Sequence, residues 1–183
     1  MTIGALVLAA GEGRRFGGTK QLAELDGRPL LSYALAAVAG ISPRVVVLGH
    51  AADEILAAVD LHGARPVICP DFADGQAASL KCGIAALDTD AVLVVLGDQP
   101  GITARALDAM IAAAGDEDAV RATYDGVPSH PVLLRRPLLE RAGELRGDVG
   151  FRDLLRDARV REVEVGHLAD PADIDTREEL ARR

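Results

Sequence analysis

Tryptophan is missing from this chain and aromatic residues together make up only 3% of it, so the stacking platforms that hold single-stranded nucleic acids cannot be built. A net charge of −8 also removes the basic footprint that duplex binding needs. No nucleic-acid partner is expected. The N-terminus has no basic segment leading into a secretory hydrophobic core, and no apolar run approaches the length of a bilayer span. A cytoplasmic protein without a membrane partner is therefore expected. Cysteine is confined to Cys69 and Cys82, which lack C-x-x-C spacing and are expected to be free thiols with no assigned chemistry. His50, His62, His130 and His167 are too scattered for a zinc cluster.

Lysine is scarce in a different way. Of 20 basic residues only Lys20 and Lys81 are lysines, so a chain that otherwise uses arginine keeps a compact, mobile ammonium at position 20. The rest of the composition, 49% hydrophobic and 26% charged, suits a folded globular protein, and the length predicts a single domain over residues 1–183.

Lys20 closes the stretch that organises the chain. The apolar run Ile3 to Leu8 reads as a buried parallel strand, and it delivers Ala9-Ala10-Gly11-Glu12-Gly13-Arg14-Arg15-Phe16-Gly17-Gly18-Thr19-Lys20. Glycine lets main-chain N–H groups approach a ligand closely, and Arg15 and Lys20 add positive charge. Such a loop holds an anion, and in an α/β protein the usual anion is phosphate. A tight polar strand-to-helix connection would need less. Two familiar glycine loops fail here. A dinucleotide fingerprint from Gly11 and Gly13 requires glycine where Phe16 stands, and a P-loop from Gly13 requires lysine at Thr19.

Downstream, strand and helix patterns alternate. Leu30 to Val38 reads as a helix, Arg44 to Leu48 as a strand, Asp53 to Val59 as a helix and Arg65 to Cys69 as a strand. A second glycine-led loop, Pro70 to Gly75, opens a helix that runs from Gln76 to about Leu87. Ser79 in it serves equally as a pocket residue or a local cap. Ala91 to Leu96 is the most apolar strand, hence central, and it ends at Gly97-Asp98-Gln99-Pro100. A carboxylate at the carboxyl end of a central strand faces the crevice where open α/β sheets bind ligands, and Thr103 is better placed than Asp98 to cap the helix from Ala104 to Ala113. Asp98 is therefore the first candidate ligand for Mg²⁺.

After this the rhythm breaks. Ala119 to Tyr124 and Val132 to Arg135 read as two strands around the Asp125-Gly126 turn, with the stiff, polar Pro128-Ser129-His130-Pro131 between them suited to lining a cleft. A direct catalytic role for His130 is not expected. Asp148 in the loop from Leu145 to Arg152 would cap the helix beginning near Asp153, and Arg159 to Val165 alternates like an edge strand. The aspartates Asp170, Asp173 and Asp175 precede a short last helix and would serve as surface charge if nothing more. The fold expected is a Rossmann-like, doubly wound, mostly parallel sheet with a small mixed β extension in the second half.

The pattern L-A-A-G-x-G-x-R-x-G-x-x-K-x-L from Leu8 to Leu22 resembles the signature of nucleotidyltransferases. Five further segments match: Gly75 to Gly83, Leu96 to Pro100, Ser129 to Pro131, Arg146 to Arg152 and Asp173 to Thr176. Together they are similar to the molybdenum cofactor cytidylyltransferase branch of the molybdopterin nucleotidyltransferases, in the NTP-transferase superfamily. Thr19-Lys20 stands where isoprenoid cytidylyltransferases and sugar pyrophosphorylases carry Pro-Lys. Glu12 and Phe16 depart from the pattern and leave the base open.

The resemblance implies a nucleotide-binding half over about residues 1–115 and an acceptor-binding half over about 116–183. CTP, or another NTP such as GTP, would bind at Leu8, Ala9, Ala10, Gly11, Gly13, Arg15, Lys20, Gly75, Ser79 and Leu80. Arg15, Lys20 and Asp98 would be catalytic, with Mg²⁺ on Asp98 and Asp175. Gln99, Pro100, His130, Gly147, Asp148 and Arg152 would bind the phosphorylated acceptor, molybdopterin or failing that a sugar phosphate. The product would pass on by transient contact with a molybdoenzyme or its chaperone. A nucleotide-binding regulator without turnover would have no need of Lys20, Asp98 and Asp175 together.

Overall fold

The structure, a computed structural model, describes residues 1–148 and 150–183. Nine strands and seven helices follow in chain order: β1 Ile3–Ala9, β2 Glu24–Leu25, β3 Arg28–Pro29, α1 Leu30–Ala37, β4 Arg44–Leu48, α2 Ala52–Ala58, β5 Arg65–Ile68, α3 Gln76–Ala85, β6 Ala91–Leu96, α4 Ala104–Ala112, β7 Ala119–Tyr124, β8 Val127–Arg135, α5 Arg136–Leu139, α6 Arg152–Arg156, β9 Val160–Glu164 and α7 Arg177–Ala181. The main sheet has the order β5-β4-β1-β6-β8-β7-β9, while β2 and β3 form a separate small hairpin.

β5, β4, β1 and β6 are parallel, with Val7 in register with Val46 on one side and Val95 on the other. β6 is the middle strand of the seven, as its uninterrupted apolar sequence predicts. β8 then runs antiparallel to β6, β7 antiparallel to β8, and β9 parallel to β7. The architecture is thus the Rossmann-like, mostly parallel sheet with a mixed extension.

Both faces of the sheet are covered, so β1 alternates in direction without alternating in polarity. Ala5, Val7 and Ala9 pack with Leu31 and Leu35 of α1, Ile55 of α2 and Met110 of α4. Leu6, Leu8 and Ala10 pack on the other side with Leu80 and Ile84 of α3 and Leu154 of α6. Gly83 lets α3 approach, because a β-carbon there would collide with Leu6 and Val47.

Two expectations are corrected. The returning strand starts at Val127, five residues before Val132, and includes Pro128 to Pro131. The Asp125-Gly126 turn, with φ of 51° and 77°, is a tight hairpin of the kind that pairs strands immediately. The ladder then jumps from Ala122 opposite Ser129 to Arg121 opposite Val132. His130 and Pro131 are thereby left in a bulge, where a proline without an N–H is tolerated. The second correction concerns the cysteines. Cys69 just after β5 and Cys82 in α3 are joined as a disulfide, with Cα atoms 5.9 Å apart. The fold brings together two residues that no local motif connects.

Candidate active site

β1 ends under the sheet's carboxyl edge, and the chain turns out at Ala10. Gly13 adopts a φ of 63°, and a β-carbon on it would collide with the Gly18 carbonyl, so the loop closes tightly only with glycine there. The Gly17 N–H donates to the Gly13 carbonyl at 3.0 Å. The N–H groups of Gly11, Glu12 and Gly13 meet no acceptor in the protein among the described residues. Unpaired donors of this kind are what an anion-binding loop presents.

The loop ends in a 3₁₀ turn, Lys20–Leu22, which swings Lys20 back under it. Lys20 Nζ donates to Asp98 Oδ2 at 2.7 Å and to Asp175 Oδ1 at 2.9 Å. Arg15 Nη1 donates to Asp175 Oδ2 at 2.8 Å. A lysine facing phosphate needs no protein partner, yet this one bridges two carboxylates. The Lys20 side chain is 13% exposed and that of Arg15 79%, so the lysine is held among neighbours whereas the arginine is tied only through its exposed contact with Asp175.

Burial alone would lower the pKa of Lys20, but the adjacent Asp98 and Asp175 reverse the balance and raise it. The hydrogen bond from Lys20 holds Asp175 below the ordinary carboxylate range. The lysine's contribution is present below its unfolded pKa and is lost as pH rises through the raised folded one. That of Asp175 is present above its unfolded pKa and is lost as pH falls through the lowered folded one. The Lys20–Asp175 pair therefore keeps its charges through the neutral range.

Asp175 owes its position to its neighbours. Ile174 is fully buried, and its N–H donates to the Asp98 carbonyl at 3.0 Å. Thr176 caps α7 with Glu179 in a reciprocal capping box, and Glu179 Oε2 also accepts from the Asp175 N–H at 2.7 Å. Thr176 does the capping, which leaves the Asp175 carboxylate for the site. Thr103 likewise caps α4 by accepting from the Ala106 N–H, which leaves Asp98 to face the crevice.

The two carboxylates suit a hard divalent cation. Asp98 Oδ1 is buried without a hydrogen-bond partner, and two carboxylates with phosphate oxygens make an all-oxygen donor set. Among the described residues no group of three or more acidic, histidine or cysteine side chains is placed to hold a metal, so phosphate oxygens would have to supply the other ligands. Asp173 stands close by, its pKa raised by burial and by the Asp175 and Asp98 charges.

These residues line a cavity of about 630 Å³. Of the residues expected to bind nucleotide or metal, Leu8, Ala10, Gly11, Gly13, Arg15, Lys20, Gly75, Ser79, Asp98 and Asp175 all reach it. Ala9 lies beneath, on a smaller cavity of about 90 Å³ together with Gln21 and Lys20. Leu80 is completely buried in the core behind the wall. The sequence reading missed Glu12, Arg14, Phe72 and Gln76 on the larger cavity. Glu12, Arg14 and Gln76 sit between motif residues that were recognised, and position in the motif was the only available signal.

The expected acceptor residues divide. Asp148 lines the same cavity, and rather than capping the helix that follows it caps α3: its Oδ1 accepts from the Gln76 N–H at 3.2 Å. The Gly147 carbonyl accepts from the Ala77 N–H at 3.0 Å. Gln99 is buried and donates to the Pro171 carbonyl at 2.7 Å, so its side chain braces the C-terminal segment. Pro100 lies in the turn after β6 and Arg152 is exposed at the start of α6, neither of them on the cavity.

His130 packs its ring 5.5 Å from that of Phe151, and its Nε2 is buried without a partner. Burial, helped by the Arg121 cation and opposed by Asp98, pushes its pKa down to about 4. It is neutral at pH 7 and no phosphate-binding cation. Between pH 6.5 and about 4 the unfolded chain takes up a proton that the folded chain refuses, which costs up to roughly 3 kcal/mol of stability. His130→Gln should therefore lose less melting temperature than wild type between pH 7 and 4.5. Parallel melting curves for the two proteins would assign the acid sensitivity elsewhere.

Residues 5–164 match the family model described as MobA-like NTP transferase domain. Nicotine blue oxidoreductase of Paenarthrobacter nicotinovorans is 31% identical, over 97% of this chain and 94% of its own. The bifunctional protein GlmU of Sorangium cellulosum is 34% identical over 88% of this chain, but the match spans only 37% of that longer protein. Among solved structures, Rv0371c of Mycobacterium tuberculosis superposes with a TM-score of 0.89 at 30% identity, covering 100% of this chain and 96% of its own. A second structure of Rv0371c is a complex with manganese. No helix among the described residues is long and apolar enough to cross a membrane. With a glycine loop of unpaired donors set over a lysine and two carboxylates, and a family match over most of its length, the chain belongs to the MobA-like NTP transferases.

Proposed function

We propose that this protein transfers CMP from CTP to the terminal phosphate of molybdopterin, or of the molybdenum cofactor, and releases pyrophosphate. The observation that carries the reading is the Lys20 bridge between Asp98 and Asp175, set beside the loop of unpaired N–H donors. A regulator that only bound nucleotide would have no use for a lysine and two carboxylates converging on the triphosphate end. The choice of cytosine rests on Ala9-Ala10-Gly11, which resembles the cytidylyl branch rather than the guanylyl one, where glycine often replaces the second alanine, and the choice of molybdopterin on the Gly97-Asp98-Gln99-Pro100 and Gly147 to Arg152 segments.

In this reading an oxygen of the acceptor phosphate attacks the α-phosphorus, and the bond from that phosphorus to the bridging oxygen breaks. The electron pair leaves with pyrophosphate. A phosphate monoester is already anionic and nucleophilic, so no covalent enzyme intermediate or strong base is required. The loop N–H groups hold the β- and γ-phosphates. Lys20 turns from the carboxylates to the oxygen that gains charge, and Arg15 follows the departing pyrophosphate. Mg²⁺ held by Asp98 and Asp175 would add Lewis-acid polarisation. The half up to about residue 115 binds nucleotide, and the remainder, with Asp148 at the boundary, faces the acceptor.

Incubation with molybdopterin, each NTP in turn and Mg²⁺, followed by mass identification of the product, tests this directly. The cytidylylated cofactor is expected. A guanylylated product would move the base assignment, and turnover only with a sugar phosphate would move the acceptor. The name of the relative nicotine blue oxidoreductase raises one other reading, oxidation or reduction of a small molecule in the same cavity. Redox turnover of a dye substrate without pyrophosphate release would select it.

The metal assignment makes a separate prediction. Asp175→Ala should raise the Mg²⁺ concentration for half-maximal rate on the order of tenfold or more. Asp173→Ala, beside the site, should be intermediate. Asp170→Ala should match wild type, since Asp170 pairs with Arg183. Superimposable titrations for wild type and Asp175→Ala would return this segment to a structural role.

A further inference from the structure

The large cavity, the acceptor-side loop and the carboxylates all enter the reading above, but one buried polar side chain does not. Gln21 is 5% exposed and touches no cavity residue through a charge. Its Nε2 donates to the Ala9 carbonyl at 2.8 Å and to the Gly11 carbonyl at 2.9 Å, the two carbonyls that flank the point where β1 turns into the loop. The assignment of its amide is not ambiguous, because two carbonyls can be met only by the nitrogen. Its Oε1 is buried without a partner, so the residue accepts an unmet acceptor in order to make these two contacts.

We propose that Gln21 is the positioning residue of the phosphate loop, fixing the peptide planes whose N–H groups receive the triphosphate. The argument is stereochemical. The Gly11–Glu12 peptide is trans, so its N–H points opposite to its C=O. With the Gly11 carbonyl fixed on Gln21, the Glu12 N–H is turned away from Gln21, and it is one of the loop donors with no protein acceptor. The Gly17 N–H on the Gly13 carbonyl and the His50 N–H on the Ala10 carbonyl brace neighbouring peptides, but neither holds the Gly11 carbonyl, and glycine backbones wander when unrestrained. Gln21 is also the residue after Lys20, in the same 3₁₀ turn. One turn therefore sets the lysine on the carboxylates and the amide on the loop, and the relative placement of ammonium and N–H donors is fixed by adjacent residues.

This deepens the nucleotidyl-transfer reading and rests on it for the identity of the anion. Gln21→Met keeps the side chain's length and volume while removing the donor. Two measurements are made on the full chain with Mg²⁺: equilibrium binding of inorganic tripolyphosphate, and steady-state kinetics with CTP and molybdopterin. The variant should bind tripolyphosphate on the order of tenfold or more weakly, as the loss of two buried hydrogen bonds warrants. It should raise KM for CTP by a similar factor and leave KM for the acceptor unchanged. A merely structural amide would lower the melting temperature with both affinities intact, and that result overturns the proposal, as does a wild-type protein that binds no tripolyphosphate. Tripolyphosphate binding that is lost in Gln21→Met, in a protein that transfers no nucleotide, would uphold Gln21 and refute nucleotidyl transfer. Should Gln21→Met fail to fold, Gln21→Asn, one methylene too short to reach both carbonyls, must show the same pattern for the proposal to survive.

Discussion

Lys20→Met should lower kcat/KM for the nucleotide at least 100-fold, the usual scale for removing a preorganised charge from a reacting phosphate. The methionine keeps the stem and its packing, so the loss reports the ammonium. Stability should change as well, because Lys20 holds Asp98 and Asp175 together at 2.7 and 2.9 Å. Without it two carboxylates face each other largely out of water. The cost falls between that of exposed and buried ion pairs, about 2 kcal/mol in metal-free protein. Adding Mg²⁺ or Mn²⁺ should restore the melting temperature but not the rate, since a cation neutralises the carboxylates without donating to the leaving group. Full activity at saturating CTP would refute the role. A melting temperature indifferent to metal would refute the charge argument while leaving the role open to the rate measurement.

Asp98→Asn should abolish metal-dependent turnover, again by 100-fold or more, while the protein stays folded. The amide has the shape of the carboxylate and the backbone around it is secured independently, through the Asp98 carbonyl accepting from Ile174. What is lost is the anion that faces Lys20 on one oxygen and has a free, buried lone-pair set on the other. Circular dichroism and a metal titration of the rate separate the two effects. An unfolded variant, or one whose residual rate has the metal dependence of wild type, would make Asp98 structural.

The two carboxylates also show what a sequence can and cannot convey. β1, β4, β6 and β7 were legible because a buried strand writes its own signal in consecutive residues, and the order of strand and helix then places the end of β6 at the crevice. Lys20 was conspicuous by composition. The ion pairs between Lys20, Asp98 and Asp175 were not, since they join positions 78 and 155 residues apart and depend on where the last segment lies. The true start of β8 was hidden by Pro128 and Pro131, which read locally as breaks and become acceptable only beside a bulge. Cys69 and Cys82 meet because β5 and α3 are neighbours, a fact of topology. Asp148 looked like a cap and is one, for a helix 72 residues earlier in the chain. Gln21 occupies a position that the motif leaves unspecified, so only the two carbonyls it meets make it visible.

That distant cap has a thermodynamic consequence. The first turn of α3 begins at Gly75, which offers no side chain to its own helix, and the donors at Gln76 and Ala77 are satisfied by Asp148 and Gly147. Moving either segment alone leaves the donor of the buried Ala77 unmet, at about 1–3 kcal/mol, whereas the Gln76 donor, whose hydrogen bond is exposed, can turn to water. Helix and loop are thereby coupled, chiefly through the Ala77 N–H on the Gly147 carbonyl. If the cavity takes a nucleotide as proposed, a molecule that prefers one position of the loop would bias the cavity wall, and a nucleotide that prefers one position of the wall would bias the loop by the same free energy. The affinities of two such ligands would then be linked through the fold, without any need for contact between the ligands themselves.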